Sequence, residues 1–143
     1  MVVETVAKRK SFTGDLEKVK SLCDAARSKS ERLARLAEED IEVYSEYMKA
    51  RRPTRRLIEV PMQAARSAVA GLDLCAEAAE MVRGTIVSDL GTAAILLGGA
   101  VRAILLNVDV NLQQLPDHEA IVQRNELEER ARRQLDSVLL RQA

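Results

Sequence analysis

The chain has 143 residues, which suits a single domain, and 47% of them are hydrophobic. Its 22 Lys and Arg residues balance its 22 Asp and Glu residues, and only 2% are aromatic, so we expect no nucleic-acid partner. Cys23 and Cys75 have neither CxxC nor His-paired spacing, and the N-terminal sequence lacks the pattern of a signal peptide. We therefore interpret both cysteines as small buried hydrophobes and expect a cytoplasmic protein.

Nearly every segment of the chain has the hydrophobic spacing of a helix, and no segment alternates as a β-strand does. Val2–Lys10 resembles the end of a helix, apolar first and cationic last, as the helix dipole favours. Ser11–Gly14 breaks this pattern, and Thr13 or Asp15 can cap the helix that follows. We predict that this second helix runs from Asp15 to about Arg52, because the stretch contains neither Gly nor Pro.

An apolar row can be followed along the second helix at steps of three and four residues, and Asp40 lies on it. A carboxylate that is buried without a partner is costly. Asp40 is therefore either a structural hydrogen-bond acceptor or a functional acid or base, and the spacing alone leaves both interpretations open. The predicted row consists of Leu16, Val19, Cys23, Ala26, Ser30, Leu33, Ala37, Asp40, Tyr44 and Tyr47.

The rest of the chain is also predicted to be helical. The predicted elements are a turn at Arg51–Thr54, a helix that Pro61 starts or kinks and that reaches Val82, a connection at Arg83–Thr85, a helix from Ser88, and a last helix that Asp117 caps and that runs toward Leu140. We therefore predict an all-α fold, an up-and-down bundle of long antiparallel helices, in one domain that spans residues 1–143.

The segment Ser88–Leu112 is apolar on almost every side, and a chain this small has little interior to surround such a helix. We therefore expect a second subunit to cover it, in a homodimer or a dimer of dimers. The apolar run is short for a membrane span and contains Arg102, so we expect no membrane partner. Ser88 and Asp89 are suited to capping the helix, and Asn107 and Asn111, one turn apart, need structural partners or a ligand.

The sequence offers few residues for conventional catalytic chemistry. His118 is the single histidine, and its position at a helix start favours a solvated side chain, so a catalytic triad is not expected. We also find neither a set of zinc ligands nor a phosphate-binding loop, and we predict no metal site.

Four segments, in order along nearly the whole chain, are similar to those of the folate-dependent cyclodeaminases and methenyltetrahydrofolate cyclohydrolases. They are KRKSF (Lys8–Phe12), LAEEDIEVYSEYM (Leu36–Met48), EVPMQAARSA (Glu59–Ala68) and the run from SDLGTAA to NVDVNLQQLPDHEA. The resemblance implies that Asp40 is the catalytic residue. It also implies a group of residues that bind folate or shape the site: Lys8, Lys10, Tyr44, Ser88, Asp89, Asn107 and Asn111.

The implied reactions act on the one-carbon unit of tetrahydrofolate. In cyclodeamination, N10 attacks the formimino carbon and ammonia leaves; in cyclohydrolysis, water opens the cyclic methenyl cation. Both reactions pass through a cation that a fixed carboxylate can stabilise while it transfers a proton. The resemblance implies no cofactor besides the folate substrate, and Lys8, Lys10 or Arg83 could meet the glutamate carboxylates of folate.

Three departures from the family pattern keep a second interpretation open. The family's first helix and its P-G-G-G-S-like turn have no counterpart, so we expect the chain to be truncated at its start. The connection between the Asp40 helix and Pro61 is short, and Arg83 takes the place of the family's asparagine before S-D-L. The alternatives are a cyclodeaminase, a cyclohydrolase, or a non-catalytic dimeric scaffold or inactive member of the family.

Overall fold

Five α-helices and one short 3₁₀ turn make up the part of the chain that a computed structural model describes, residues 1–8 and 14–141. They are α1 (Val2–Ala7), α2 (Leu16–Ala50), α3 (Arg56–Ala78), the 3₁₀ turn (Gly84–Ile86), α4 (Val87–Gln114) and α5 (His118–Leu140). Across those residues no strand is present, and the prediction of an all-α bundle is confirmed. The central helix is α3, which packs against α2, α4 and α5.

Local capping sets two of the helix starts. The Asp15 carboxylate accepts hydrogen bonds from the backbone N–H groups of Glu17 (2.8 Å) and Lys18 (3.3 Å), and that of Asp117 accepts one from Ala120 (3.1 Å). Both caps were predicted from the sequence, whereas the alternative cap Thr13 lies outside the described residues.

The core lies on both sides of α3. One cluster fills the space between α3, α4 and α5 and includes Val6 of α1, and a smaller one joins α2 to α3. The smaller cluster consists of Leu36, Val43, Leu57 and Val60. The buried row of α2 therefore differs from the predicted row, and Leu16 and Tyr44 are exposed. Since α2 packs mainly on one long neighbour, it buries a narrow row, and two rows of its sequence satisfy the same spacing.

The fourth helix is buried on one side only. Gly98 faces α5, where an added Cβ would lie 3.0 Å from the Leu135 side chain, but an added Cβ at Gly99 would meet nothing within 4 Å. Leu96 and Leu106 are 68% and 65% exposed. The expectation that this helix is buried on every side is wrong for a single chain, because the other helices cover only part of its circumference.

By length and composition alone, α4 with the preceding turn (Gly84–Gln114) could cross a membrane, and its most apolar window has a mean hydropathy of 1.8. Its inner side nevertheless packs on α3 and α5 as a core helix does, and eight of its residues are buried. These eight are Leu90, Gly91, Ala94, Gly98, Val101, Leu105, Val108 and Leu112.

We predict that Leu36→Ala lowers the free energy of unfolding by about 2–5 kcal/mol, because the fully buried Leu36 side chain joins α2 to α3. Ile41→Ala removes a similar side chain from the same helix where it is 70% exposed, and should change stability by less than about 0.5 kcal/mol. Urea unfolding followed by circular dichroism measures both values. Equal losses in the two variants would contradict the packing of α2.

Candidate functional site

Asp40 lies in the second half of α2 and is half-buried. Burial raises the pKa of its carboxyl group, and no charged or hydrogen-bonding group within the described ranges offsets that effect. Two other carboxylates of this helix, Glu39 and Glu46, form ion pairs with Arg56 at 3.3 and 3.1 Å. Asp40 is therefore the carboxylate of this region that is available to a cationic ligand.

Two tyrosines follow Asp40 at successive turns of α2. Tyr44 is 57% exposed, and its ring centroid lies 6.3 Å from that of the half-buried Tyr47. The Tyr47 hydroxyl donates a hydrogen bond of 3.2 Å to the side-chain oxygen of Gln114, the last residue of α4. This bond joins the ends of α2 and α4.

The Tyr47–Gln114 bond also fixes the level of Asp40 relative to α4. Each of α2 and α4 runs antiparallel to α3: Lys18 at the start of α2 lies 3.7 Å from Glu80 just beyond α3, and α4 ends beside the first turn of α3. The two helices therefore run in the same direction. Asp40 and Asn107 each lie seven residues, or about 10 Å, before the bonded pair. They consequently occupy the same level of the bundle.

Asn111 has a structural partner. Its side-chain NH₂ donates a hydrogen bond of 2.7 Å to the backbone carbonyl of Leu57. In a regular helix that carbonyl would accept from the N–H of residue 61, but Pro61 has none. Asn111 thus satisfies a buried carbonyl that the proline leaves unpaired, whereas Asn107, one turn earlier, is exposed.

Ser88 and Asp89 lie at the opposite end of α4. They are exposed in the first turn of the helix, and 19 residues of helix separate Ser88 from Asn107 by about 28 Å. The predicted cap is wrong: the 3₁₀ turn runs directly into α4, Ile86 occupies the N-cap position, and the Ser88 hydroxyl donates to the Thr85 carbonyl at 2.9 Å. A single chain therefore does not bring Ser88 and Asp89 close to Asp40.

A cavity of about 650 Å³ lies beside Ser88, at the end of the bundle far from Asp40. Its lining consists of Ala79, Val82, Arg83, Gly84, Thr85, Val87, Ser88 and Arg141. Arg83 donates hydrogen bonds to the carbonyls of Val82 (2.8 Å) and Ala79 (3.3 Å), which are backbone groups at the end of the third helical segment. The arginine at the position of the family's asparagine therefore closes its own helix end.

Lys8 is exposed at the end of α1, and Lys10 lies outside the described residues. Glu4 on α1 interacts electrostatically with Arg27 of α2, so α1 packs beside the first part of α2. Arg27 precedes Asp40 by 13 residues, or about 20 Å of helix. Lys8 is therefore distant from Asp40 within one chain.

Two residues at the site were not predicted for it: Tyr47 and Gln114. Their positions carry a signal in the sequence, because each follows a predicted site residue, Asp40 or Asn107, by seven positions and thus lies on nearly the same helix face. Within residues 1–8 and 14–141, no three His, Cys, Asp or Glu side chains are placed to hold a metal ion.

Comparison with known families gives one match. The family model described as formiminotransferase-cyclodeaminase matches residues 50–132, more than half of the chain. The matched range contains Ser88, Asp89, Asn107 and Asn111 but not Asp40. No curated protein matches the chain.

We predict that Asn111→Leu lowers the free energy of unfolding by about 1–3 kcal/mol, because it leaves the buried Leu57 carbonyl without a donor. Pro61→Ala restores a backbone N–H at the position that would pair with this carbonyl. The loss caused by Asn111→Leu should therefore shrink by about 1 kcal/mol or more in the Pro61→Ala background. Urea unfolding of all four proteins gives this coupling, and additive effects would contradict the assigned role of Asn111.

The raised pKa of Asp40 predicts a pH-dependent effect of Asp40→Asn. Because the folded state favours the neutral carboxyl, the contribution of Asp40 to stability is present at low pH and is lost as the pH rises through its raised pKa. Asp40→Asn should therefore be at least as stable as the parent at pH 7, with the difference vanishing below the ordinary value of 3.8. Thermal unfolding from pH 3 to 8 tests this expectation. Glu42→Gln, at an exposed carboxylate of α2, is the matched control, and a loss that grows with pH would contradict it.

Proposed function

This chain belongs to the formiminotransferase-cyclodeaminase family, whose chemistry concerns folate one-carbon units, and on that premise we propose that it acts on a one-carbon derivative of tetrahydrofolate. The proposed reaction is the cyclisation of 5-formiminotetrahydrofolate with release of ammonia, or the hydrolysis of 5,10-methenyltetrahydrofolate. The family match carries the proposal, and the half-buried carboxylate of Asp40 supports it.

Cyclodeamination needs a group that moves a proton between two nitrogens. The N10 lone pair attacks the carbon of the protonated formimino group and a C–N bond forms. A proton then leaves N10 and is delivered to the former imine nitrogen, which departs as ammonia as its bond to carbon breaks. The product is the methenyl cation, with its charge shared between N5, carbon and N10. No electrons are exchanged with another reactant, so the reaction needs no redox cofactor.

We assign the proton transfer to Asp40. A carboxyl group whose pKa is raised by burial is a stronger base than an ordinary aspartate and still carries charge near neutral pH. Its negative form also favours the cationic product, and this attraction is larger in a partly desolvated position than in water.

The same group serves the hydrolytic reaction. Asp40 would accept a proton from water as its oxygen bonds to the methenyl carbon, and the carbon–N5 bond then breaks to give the 10-formyl compound. The exposed Tyr44 and Asn107, near the level of Asp40, are the polar side chains that we propose to contact the folate in either reaction.

We predict that the 143-residue chain changes the level of the methenyl cation, which absorbs in the near ultraviolet. Appearance of this absorbance from 5-formiminotetrahydrofolate with stoichiometric ammonia identifies a cyclodeaminase, and accelerated loss without ammonia identifies a cyclohydrolase. The absence of both, together with no heat of binding for tetrahydrofolate in calorimetry, would overturn the proposal in favour of a non-catalytic helical scaffold.

The role of Asp40 is tested in the same assay. Asp40→Asn should lower turnover at least about 100-fold, since it removes the proton-transferring group while keeping its shape. Glu42→Gln removes a negative charge half a turn away on α2 and should leave turnover unchanged. Parental turnover in Asp40→Asn would exclude its catalytic role.

A further inference from the structure

The outer side of α4 carries an uncovered apolar row, which we call the α4 stripe: Thr92, Leu96, Gly99, Ala103, Leu106 and Val110. All of its residues are exposed, and Leu96 and Leu106 are 68% and 65% accessible to solvent. Their alternating steps of four and three residues keep them on one side of the helix over about 27 Å. Two large exposed leucines on one helix face indicate a surface that another molecule covers.

The order of residues in the α4 stripe is the same from either end. The spacings are four, three, four, three and four, so the midpoint of every matched pair falls at Val101. Around that midpoint, Gly99 and Ala103 are the small inner pair, and Leu96 and Leu106 are the large outer pair. A surface with this symmetry is complementary to itself when one copy is turned end to end.

The flanks of the α4 stripe favour a helix over a lipid bilayer as its partner. Exposed Arg102 and Asn107 lie on opposite sides of the stripe, so its apolar surface is about one helix wide. The small residues at its centre allow a second helix to approach closely, and the leucines on either side can pack beside such a helix. A bilayer would instead have to accommodate the arginine and the asparagine next to the leucines.

We propose that two copies of this chain pair through the α4 stripe in antiparallel register, with the twofold axis at the level of Val101. In this register Leu96 packs beside Leu106 of the partner subunit, and Gly99 beside Ala103 of the partner subunit. The opposed macrodipoles of the two helices favour this direction over a parallel one. The contact stands on the exposed stripe and its symmetry, and is independent of the reaction proposed above.

The register has a consequence for the site, and this part rests on the proposed function. Turning one copy about Val101 brings Ser88 of the partner subunit to the level of Gln114, which bonds Tyr47. The first turn of α4 in one subunit then lies at the end of the bundle that holds Asp40 in the other. The candidate residues that are about 28 Å apart along one helix thus converge only in the dimer.

Sedimentation equilibrium of the full chain tests the contact. We expect a dimer for the parent, and Leu96→Arg should raise its dissociation constant at least about tenfold, because each dimer would bury two arginines. Ile121→Arg changes an exposed hydrophobe of α5 outside the stripe and should leave the dimer intact. A monomeric parent, or equal effects of the two variants, would overturn the proposal. So would a monomer that floats with vesicles of phosphatidylcholine and phosphatidylglycerol.

Crosslinking with a short bismaleimide tests the register without reference to activity. In a Cys23→Ser background, in which Cys75 is buried, Leu96→Cys and Leu106→Cys are prepared separately and mixed after joint refolding. The antiparallel register predicts a crosslinked dimer in the mixture alone, because like positions lie about 15 Å apart along the helix axis. Crosslinking of each variant with itself would show a parallel pair, and no crosslink in a sample that sediments as a dimer would place the contact elsewhere. Failure of the folate assay leaves both readouts unchanged.

Discussion

One hydrogen bond, from Asn111 to the carbonyl of Leu57, sets the geometry of the functional end of this bundle. Pro61 removes a backbone donor inside α3, and the buried carbonyl that results must be paired from outside the helix. Because the donor comes from the last turns of α4, the bond locks the start of α3 against the end of α4. The level of Asp40 beside Asn107 follows from this alignment together with the Tyr47–Gln114 bond.

An up-and-down bundle restricts which residues of a long helix can act together. Side chains at two ends of α4 never meet within a chain, however well they are grouped in the sequence. The polar residues at its two ends therefore belong to different surroundings: Ser88 beside a cavity with two arginines, and Asn107 near a carboxylate that has no cationic partner in the described ranges. A family that uses both ends in one site has to bring a second molecule to it.

The sequence predicts the parts of this fold that depend on local contacts. The helix starts at Asp15 and Asp117 were correct because a capping side chain bonds amides two or three residues away. The buried row of α2 was not, since choosing between two equivalent rows requires knowledge of its neighbour. The partner of Asn111 was unpredictable for the same reason, as its acceptor is 54 positions away in the sequence.

The adjacent glycines of α4 face different surroundings, Gly98 against Leu135 and Gly99 toward open space. A substitution at the first position acts on the folded chain itself, while one at the second leaves the chain's own packing untouched. Over evolutionary time the two positions are therefore subject to separate selection, the inner one for stability and the outer one for assembly. A lineage can drift at the outer glycine toward a different quaternary structure and retain the same subunit.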